Sequence, residues 1–406
     1  MNIRTILFLG LLISSLFVEA QETSKLYEQG RKEFKSKDYR KAIYTFSSVV
    51  NQSSFYFEAY MYRARAYHAL QMEDSALADF NTSIKKNDKY LTAYYYRGAY
   101  FFDLEKYDNA ISNFNVVLKK KPDYSKALSY RGRAYEALQK DDLAMMDYTH
   151  AIKKGTKNYD LYYRRALLYK KQEKLKLAVY DLGKVIELKP DYQKALSLRG
   201  IIEVQRGRYA ESLNDLNRAI TLDSEDQAAL EARGRAYLET EQLDKALADY
   251  NVLVQHFHTR NTKIYLQRGR LFVSQGELSK AQKDFSRILV INPRNSEACV
   301  ENAKVYILKG RVQQSIPIST KAISFDENNW EAYYVRAKAY FELEKYGEAL
   351  KDLDISIELH PTADAHYYRG QCRAEKGNVV GACEDLRTAA KMGSEMAVEK
   401  LKHVCN

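Results

Sequence analysis

The sequence offers nothing that reads as an active site. It has no HExxH, no GxSxG and no Walker phosphate loop, and no carboxylate pair stands outside the repeating pattern described below. Metal-dependent hydrolysis, serine acyl transfer and nucleotide hydrolysis therefore lack their residues. His256 and His258 form a lone HxH with no third ligand in view, too little for a zinc site. The chain reads as non-enzymatic, with no cofactor and no metal. Cysteine is scarce as well: Cys299, Cys372, Cys383 and Cys405 are the four, three of them within the last 35 residues. None stands directly after the apolar start of the chain, so a lipid anchor of the bacterial lipoprotein kind is not expected. Acid is in deficit, with 53 Asp and Glu against 64 Lys and Arg and a net charge of +11. A basic surface of that size suits acidic proteins, anionic glycans or lipid head groups.

What is present begins with "MNIRTILFLGLLISSLFVEA". Arg4 precedes an apolar run from Ile6 to Val18, and a small-residue site ends at Ala20. The run is short for a membrane span, and the order is that of a cleaved secretory signal. The expectation is export to a periplasm or the extracellular medium, with a mature chain starting at Gln21. Nucleic acid is then not an expected partner, and disulfides persist in such a compartment.

The remainder repeats. Small residues stand at Gly30, Ala64, Gly98, Gly132, Ala166, Gly200, Gly234, Gly269, Ala303, Ala337 and Gly370, in steps of 34 with one of 35 and one of 33. Twelve residues after each comes a second small one, from Ala42 and Ala76 to Ala382, and four beyond that a bulky one such as Phe46, Phe80, Phe114, Tyr148 or Phe285. This spacing puts small and large residues on one helix face, so each of the eleven units reads as a helix hairpin. Four of the five prolines, Pro122, Pro190, Pro293 and Pro361, share one frame position just before the next unit, where proline ends a helix.

These features resemble the tetratricopeptide repeat family across essentially all of the mature chain. The resemblance implies an all-α fold, a right-handed superhelical solenoid whose first helices line a concave groove, closed by a capping helix at 394–406. The expected organisation is a signal at 1–20, units one to eight at 21–295, an irregular unit nine at 296–329, and units ten and eleven at 330–393. Unit nine is irregular because Pro317 lies inside its second helix, where a kink is expected; a bend of the solenoid between residues 255 and 325 is the corresponding hypothesis. The leader with Gln after it, and the C-terminal units, resemble exported repeat proteins of the Bacteroidota.

With the first small residue numbered 8, position 7 is Arg in nine units and position 23 is Asp or Asn in the same nine: Arg63 with Asp79, Arg97 with Asn113, Arg131 with Asp147, Arg165 with Asp181, Arg199 with Asp215, Arg233 with Asp249, and so on. Units with Gln29 or Asn302 carry Thr45 or Ile318 instead. In an antiparallel hairpin turning near position 15 the two lie level, so an ion pair within each hairpin is expected. Position 9 carries Arg65, Arg133, Arg235 and Arg270 with no acid that tracks them. The resemblance points position 9 into the groove, beside Tyr62, Tyr95, Tyr96, Tyr130, Tyr163 and Arg164. Two readings stay open: these residues hold a protein or peptide of acidic character, or the tyrosines pack on one another and the arginines are solvated. The carboxylate clamp of heat-shock co-chaperones is absent, since position 9 never holds Asn.

Cys383 lies level with Cys405 about one turn and with Cys372 about another, so either pair suits a staple on the C-terminal cap; the resemblance to exported Bacteroidota proteins favours Cys383 with Cys405. Cys299 falls at a core position. The function expected is an exported scaffold for protein–protein interaction, in a cell-envelope or secretion-associated assembly. Its alternatives are a periplasmic or luminal co-chaperone that holds unfolded chains, and a module for anionic glycan or peripheral membrane attachment.

Overall fold

The computed structural model describes residues 3–405, with side chains from residue 19 onward. The expected signal at 1–20 thus lies almost wholly outside the described side chains, as does Asn406. Among the described residues there are 23 helices and no strand, divided between two compact units, Met1–Ala195 and Leu196–Asn406. The first contains α1 (Ile3–Lys35), α2 (Tyr39–Gln52), α3 (Phe57–Ala69), α4 (Glu73–Lys86), α5 (Leu91–Asp103), α6 (Tyr107–Lys120), α7 (Ser125–Ala137), α8 (Asp141–Lys153), α9 (Tyr159–Lys171) and α10 (Leu175–Leu188). The boundary falls inside α11 (Gln193–Gln205). The second unit continues with α12 (Tyr209–Leu222), α13 (Gln227–Glu239), α14 (Leu243–Gln255), α15 (Thr262–Ser274), α16 (Leu278–Ile291), α17 (Ser296–Leu308) and α18 (Val312–Phe325). It ends with α19 (Trp330–Glu342), α20 (Tyr346–Leu359), α21 (Ala363–Glu375), α22 (Val379–Lys391) and α23 (Glu395–Val404).

Odd and even helices pair as hairpins, and the small-to-large pattern is what lets them close. An added Cβ on Gly132 would meet the Tyr148 ring at 2.5 Å, and one on Gly269 the Phe285 ring at 2.5 Å. The bulky partners Phe46, Phe80, Phe114, Tyr148 and Phe285 are at most 1% exposed, so each hairpin carries its own ring-on-backbone contact.

The hairpin turn has a second device. The residue at frame position 15 has positive φ in every hairpin, among them Lys37 (64°), Gln71 (60°), Glu105 (58°), Gln139 (58°), Glu173 (55°) and Gly207 (74°). Around it the last turn of the first helix closes on itself: the Gln71 N–H donates to the His68 carbonyl at 2.9 Å and the Met72 N–H to the Tyr67 carbonyl at 2.9 Å. This is a Schellman closure, whose left-handed residue is cheapest as glycine. Replacing Gln71, Glu105, Gln139 and Glu173 by Gly should stabilise the first unit by about 0.5 kcal/mol per site, the relief of left-handed strain exceeding the added backbone entropy. A rise in the urea midpoint with each added glycine is the expected reading; a fall would mean those side chains hold the turn.

α18 runs as one helix through Pro317. The missing N–H leaves the Gln313 carbonyl without its usual helical donor. Nearby, the Ser315 hydroxyl donates to the Val312 carbonyl (2.8 Å) and the Ser319 hydroxyl to the Ser315 carbonyl (2.9 Å). At the C-terminus Ser394 caps α23, and Cys383 is disulfide-bonded to Cys405, tying α22 to the end of α23.

Candidate functional site

The position-7 arginines lie against the position-23 acids. Arg63, Arg131 and Arg165 each donate through Nε and Nη2 to both carboxylate oxygens of Asp79, Asp147 and Asp181, at 2.7–2.9 Å. In the second unit Arg199, Arg233, Arg268, Arg336 and Arg369 reach Asp215, Asp249, Asp284, Asp352 and Asp385 in the same fork. Burial lowers the pKa of Arg131 and Arg165, but the bonds to Asp147 and Asp181 outweigh it and the net direction is upward. Arg97 shows the converse. Its partner Asn113 is neutral, burial outweighs the opposing influence of Tyr94, and its pKa falls. Burial raises the Asp284 carboxyl, opposed by its bonds from Arg268.

Sequence reading missed the other arm of these arginines. Nη1 donates backwards, to the second helix of the preceding hairpin: Arg63 to Ser47 (2.9 Å), Arg97 to Asn81 (2.7 Å), Arg131 to Asn115 (2.6 Å), Arg165 to Thr149 (3.3 Å). Arg233 likewise reaches Asn217 and Arg336 reaches Thr320. The signal was legible, because a short polar residue recurs two places after the acid. The arginine thus joins hairpin to hairpin, and is not displayed to a ligand. Where it is missing, Glu33 accepts from Gln29 and Thr45 instead, and Asn302 keeps a buried Oδ1 without a partner.

The first helices of the hairpins in the compact unit Met1–Ala195 carry a different surface. The Arg65 guanidinium lies 3.8 Å from the Tyr96 ring centroid and 4.5 Å from that of Phe34, with Tyr62 at 5.3 Å. It borders a cavity of about 740 Å³ shared with Tyr95, Tyr96, Tyr100, His68 and Tyr130. A further cavity of about 380 Å³ surrounds Arg31 and Tyr62, and one of about 330 Å³ lies among Phe102, Arg133 and Arg164. Arg133 lies over Phe102 (4.8 Å) and Tyr130 (5.4 Å), its buried Nε without a hydrogen-bond partner.

Several expected groove residues are otherwise engaged. Tyr95 is 9% exposed and packs on Phe114, Tyr124 and Tyr130, so it offers the cavity only an edge; burial raises its phenol pKa. Tyr163 lies against Tyr192, and Arg164 is held by Asp160 (2.9 Å) and Glu136 (3.2 Å). Arg270 corrects the expectation that position 9 lacks acid partners: it donates to Glu301 at 2.8 Å and Glu297 at 2.9 Å. Lys304 similarly reaches Glu331 at 2.7 Å. Those acids come from the next hairpin's first helix, so a search for partners within one hairpin passes over them. Arg235 is exposed beside Glu231 and Glu239, around a cavity of about 390 Å³ in the compact unit Leu196–Asn406.

Among the described residues no three His, Cys, Asp or Glu side chains gather as a ligand set, and no helix is long and apolar enough to cross a membrane. Cys299 and Cys372 are free and fully buried, and burial pushes the Cys372 thiol up to about 12. Neither should form the thiolate that alkylates near neutral pH. Iodoacetamide should label no cysteine of the native chain, the two free ones after unfolding, and all four after unfolding and reduction. Three or more labels before reduction would contradict the disulfide.

The family model described as tetratricopeptide repeat matches residues 95–158, 163–224, 197–257 and 334–397, together more than half of the sequence. The chain belongs to the tetratricopeptide repeat family. It is 27% identical over 106 residues to the tetratricopeptide repeat and J domain-containing co-chaperone DNJ1 of Cryptococcus neoformans, covering 26% of this chain and 20% of that protein. To the DnaJ homolog subfamily C member 7 homolog of Schizosaccharomyces pombe it is 32% identical over 103 residues, 24% and 21% of the two. The chain thus spans about a fifth of the length of these relatives. Among solved structures, a chain of the APC/C hetero-tetramer Cut9–Hcn1 aligns at a TM-score of 0.50 with 14% identity, over 95% of this chain and 96% of that one. A tetratricopeptide repeat protein from Parabacteroides merdae aligns at 0.48 with 24% identity, over 62% and 100%. The Cut9–Hcn1 likeness speaks for the fold alone. This tetratricopeptide chain is a scaffold of the protein-interaction kind.

Proposed function

We propose that this tetratricopeptide scaffold is exported and holds a partner protein through an acidic segment, on the first-helix face of the compact unit Met1–Ala195. The observation that carries the reading is Arg65 lying 3.8 Å from the Tyr96 ring and 4.5 Å from the Phe34 ring in the wall of the 740 Å³ cavity. Three rings within 5.3 Å hold the guanidinium by cation–π contact, and a guanidinium so held can still offer its N–H groups for bidentate bonds to a carboxylate. Arg133, also stacked on rings and with an unused Nε, supplies a second point two hairpins away. Envelope location is supported by the N-terminal leader pattern.

The test is affinity capture from an envelope extract, comparing the chain from Gln21 onward with a variant carrying Arg65→Ala and Arg133→Ala. One or two proteins held by the first and weakened at least about tenfold by the substitutions, with unchanged helicity, is the expected result. Identical captured sets would sink the reading. A second reading draws on the J domain-containing co-chaperone relative: a holder of unfolded chains. That activity would suppress aggregation of many clients and resist salt, whereas the acidic-segment reading requires salt sensitivity.

A further inference from the structure

We infer that the outer face of the fourth and fifth hairpins docks on an anionic lipid membrane. On α8, Ala144, Asp147, Tyr148 and Ala151 are buried, so the residues between them project outward. There stand Leu143 at 42% and Met146 at 67% exposure. On α10, Ala178, Asp181, Leu182 and Val185 bury the matching side, leaving Leu177 at 47% and Tyr180 at 62%. These four occupy two frame positions, 19 and 22, on successive second helices. The same positions hold Ser75 and Ala78 on α4, and Asn109 and Ser112 on α6. The apolar pair is therefore local to two hairpins and is no requirement of the repeat.

Basic residues concentrate at the same place. The two hairpins, residues 125–190, contain fifteen Lys and Arg against eight Asp and Glu, seven of the net charge of +11 in about a sixth of the chain, although Arg131, Arg164 and Arg165 are paired with acids away from this face. Lys153, Lys154, Lys174 and Lys176 are exposed on α8, α10 and their approaches, and Lys184 lies over Tyr180. Acids are present but fewer: Asp123 binds Lys154, Glu187 binds Lys184, Asp141 binds Lys171, and Asp142 and Glu173 lie at the hairpin ends. A depression of about 500 Å³ on α8 has Met145 and Met146 in its wall and Lys153 and Lys154 at its rim.

Charge complementarity selects the occupant. Apolar tips flanked by flexible lysines match the boundary between acyl chains and anionic head groups, where the lysine stems lie along apolar surface and their ammonium groups reach phosphate. This face is formed by second helices and is separate from the first-helix surface of Arg65, so it adds attachment to partner binding.

The experiment is co-sedimentation of the chain from Gln21 onward with vesicles of phosphatidylcholine alone, or of phosphatidylcholine with phosphatidylglycerol. Two variants accompany it, Met146→Ser with Tyr180→Ser and Lys153→Glu with Lys176→Glu; all four sites are exposed, so unchanged circular dichroism is expected. Binding only to the anionic vesicles, lost in high salt and at least about tenfold weaker in each variant, supports the proposal. No binding to anionic vesicles overturns it. Loss in the charge variant alone points to a generic polyanion site and also overturns it, as does loss of a captured protein in the apolar variant without vesicle binding. The Arg65→Ala, Arg133→Ala chain should sediment normally, so failure of either reading leaves the other standing.

Discussion

Asp181→Ala should destabilise the first unit by about 3–5 kcal/mol, more than any substitution on its surface. Asp181 is 0% exposed and accepts from Arg165 Nε at 2.7 Å and Nη2 at 2.8 Å, while Arg165 itself is only 9% exposed. Removing the acid strands a guanidinium among packed helices, and the loss is the cost of that uncompensated charge rather than the worth of the pair. Two controls separate these. Asp181→Asn should cost clearly less, because Arg97 already lives opposite Asn113 in the same frame. Arg165→Met with Asp181→Leu should be close to neutral, since neither charge is left buried. Urea unfolding of all three, with hydrogen exchange to localise the loss to α9 and α10, is the measurement. A double variant as damaged as Asp181→Ala would mean that the pair contributes net stability, not merely mutual compensation. Because repeats contact only their neighbours, the effect should appear as early opening of one part of the chain.

Phe285→Ala should cost about 3–5 kcal/mol in the second unit, from lost burial and the cavity left behind. Its ring is fully buried and lies where a Cβ on Gly269 would be, at 2.5 Å. Gly269→Ala alone should cost about 1–3 kcal/mol, because the ring must move. In the Phe285→Ala background the same methyl enters emptied space, so the two losses should fall short of their sum by at least about 1 kcal/mol. In another hairpin the same frame position holds Ala64 opposite Phe80, both buried, so a methyl there is compatible with the seam when its neighbours are placed for it. Strict additivity in denaturant melts would mean that Gly269 is needed for some reason other than the ring.

The helix hairpins were legible because both of their determinants are local and periodic. Gly132 and Tyr148 are sixteen residues apart in sequence, and the same separation recurs in unit after unit, so a fixed spacing reported a contact. Arg131 and Asp147 were readable for the same reason, through their joint absence where Gln29 and Asn302 stand. The αL residue at the turn escaped notice because its side chains vary among Lys, Gln, Glu and Gly; backbone closure by the Schellman bonds, not side-chain type, sets that conformation. Arg270 escaped for a different reason. Glu297 and Glu301 belong to the next hairpin and do not recur with it.

Amino-acid order alone was enough for the all-α class, the helix hairpins, their small-against-large seams and the charge pairs within them, since each depends on residues a set distance apart along the chain. Packing in three dimensions was needed to tell which basic groups remain available. Arg65 meets rings from α1, α3 and α5, Arg164 is neutralised from α7 and from its own helix, and Tyr95 is drawn into the core by neighbours on either side. Burial and pairing at those positions are sums over neighbours from several hairpins, and no single period in the sequence encodes such a sum.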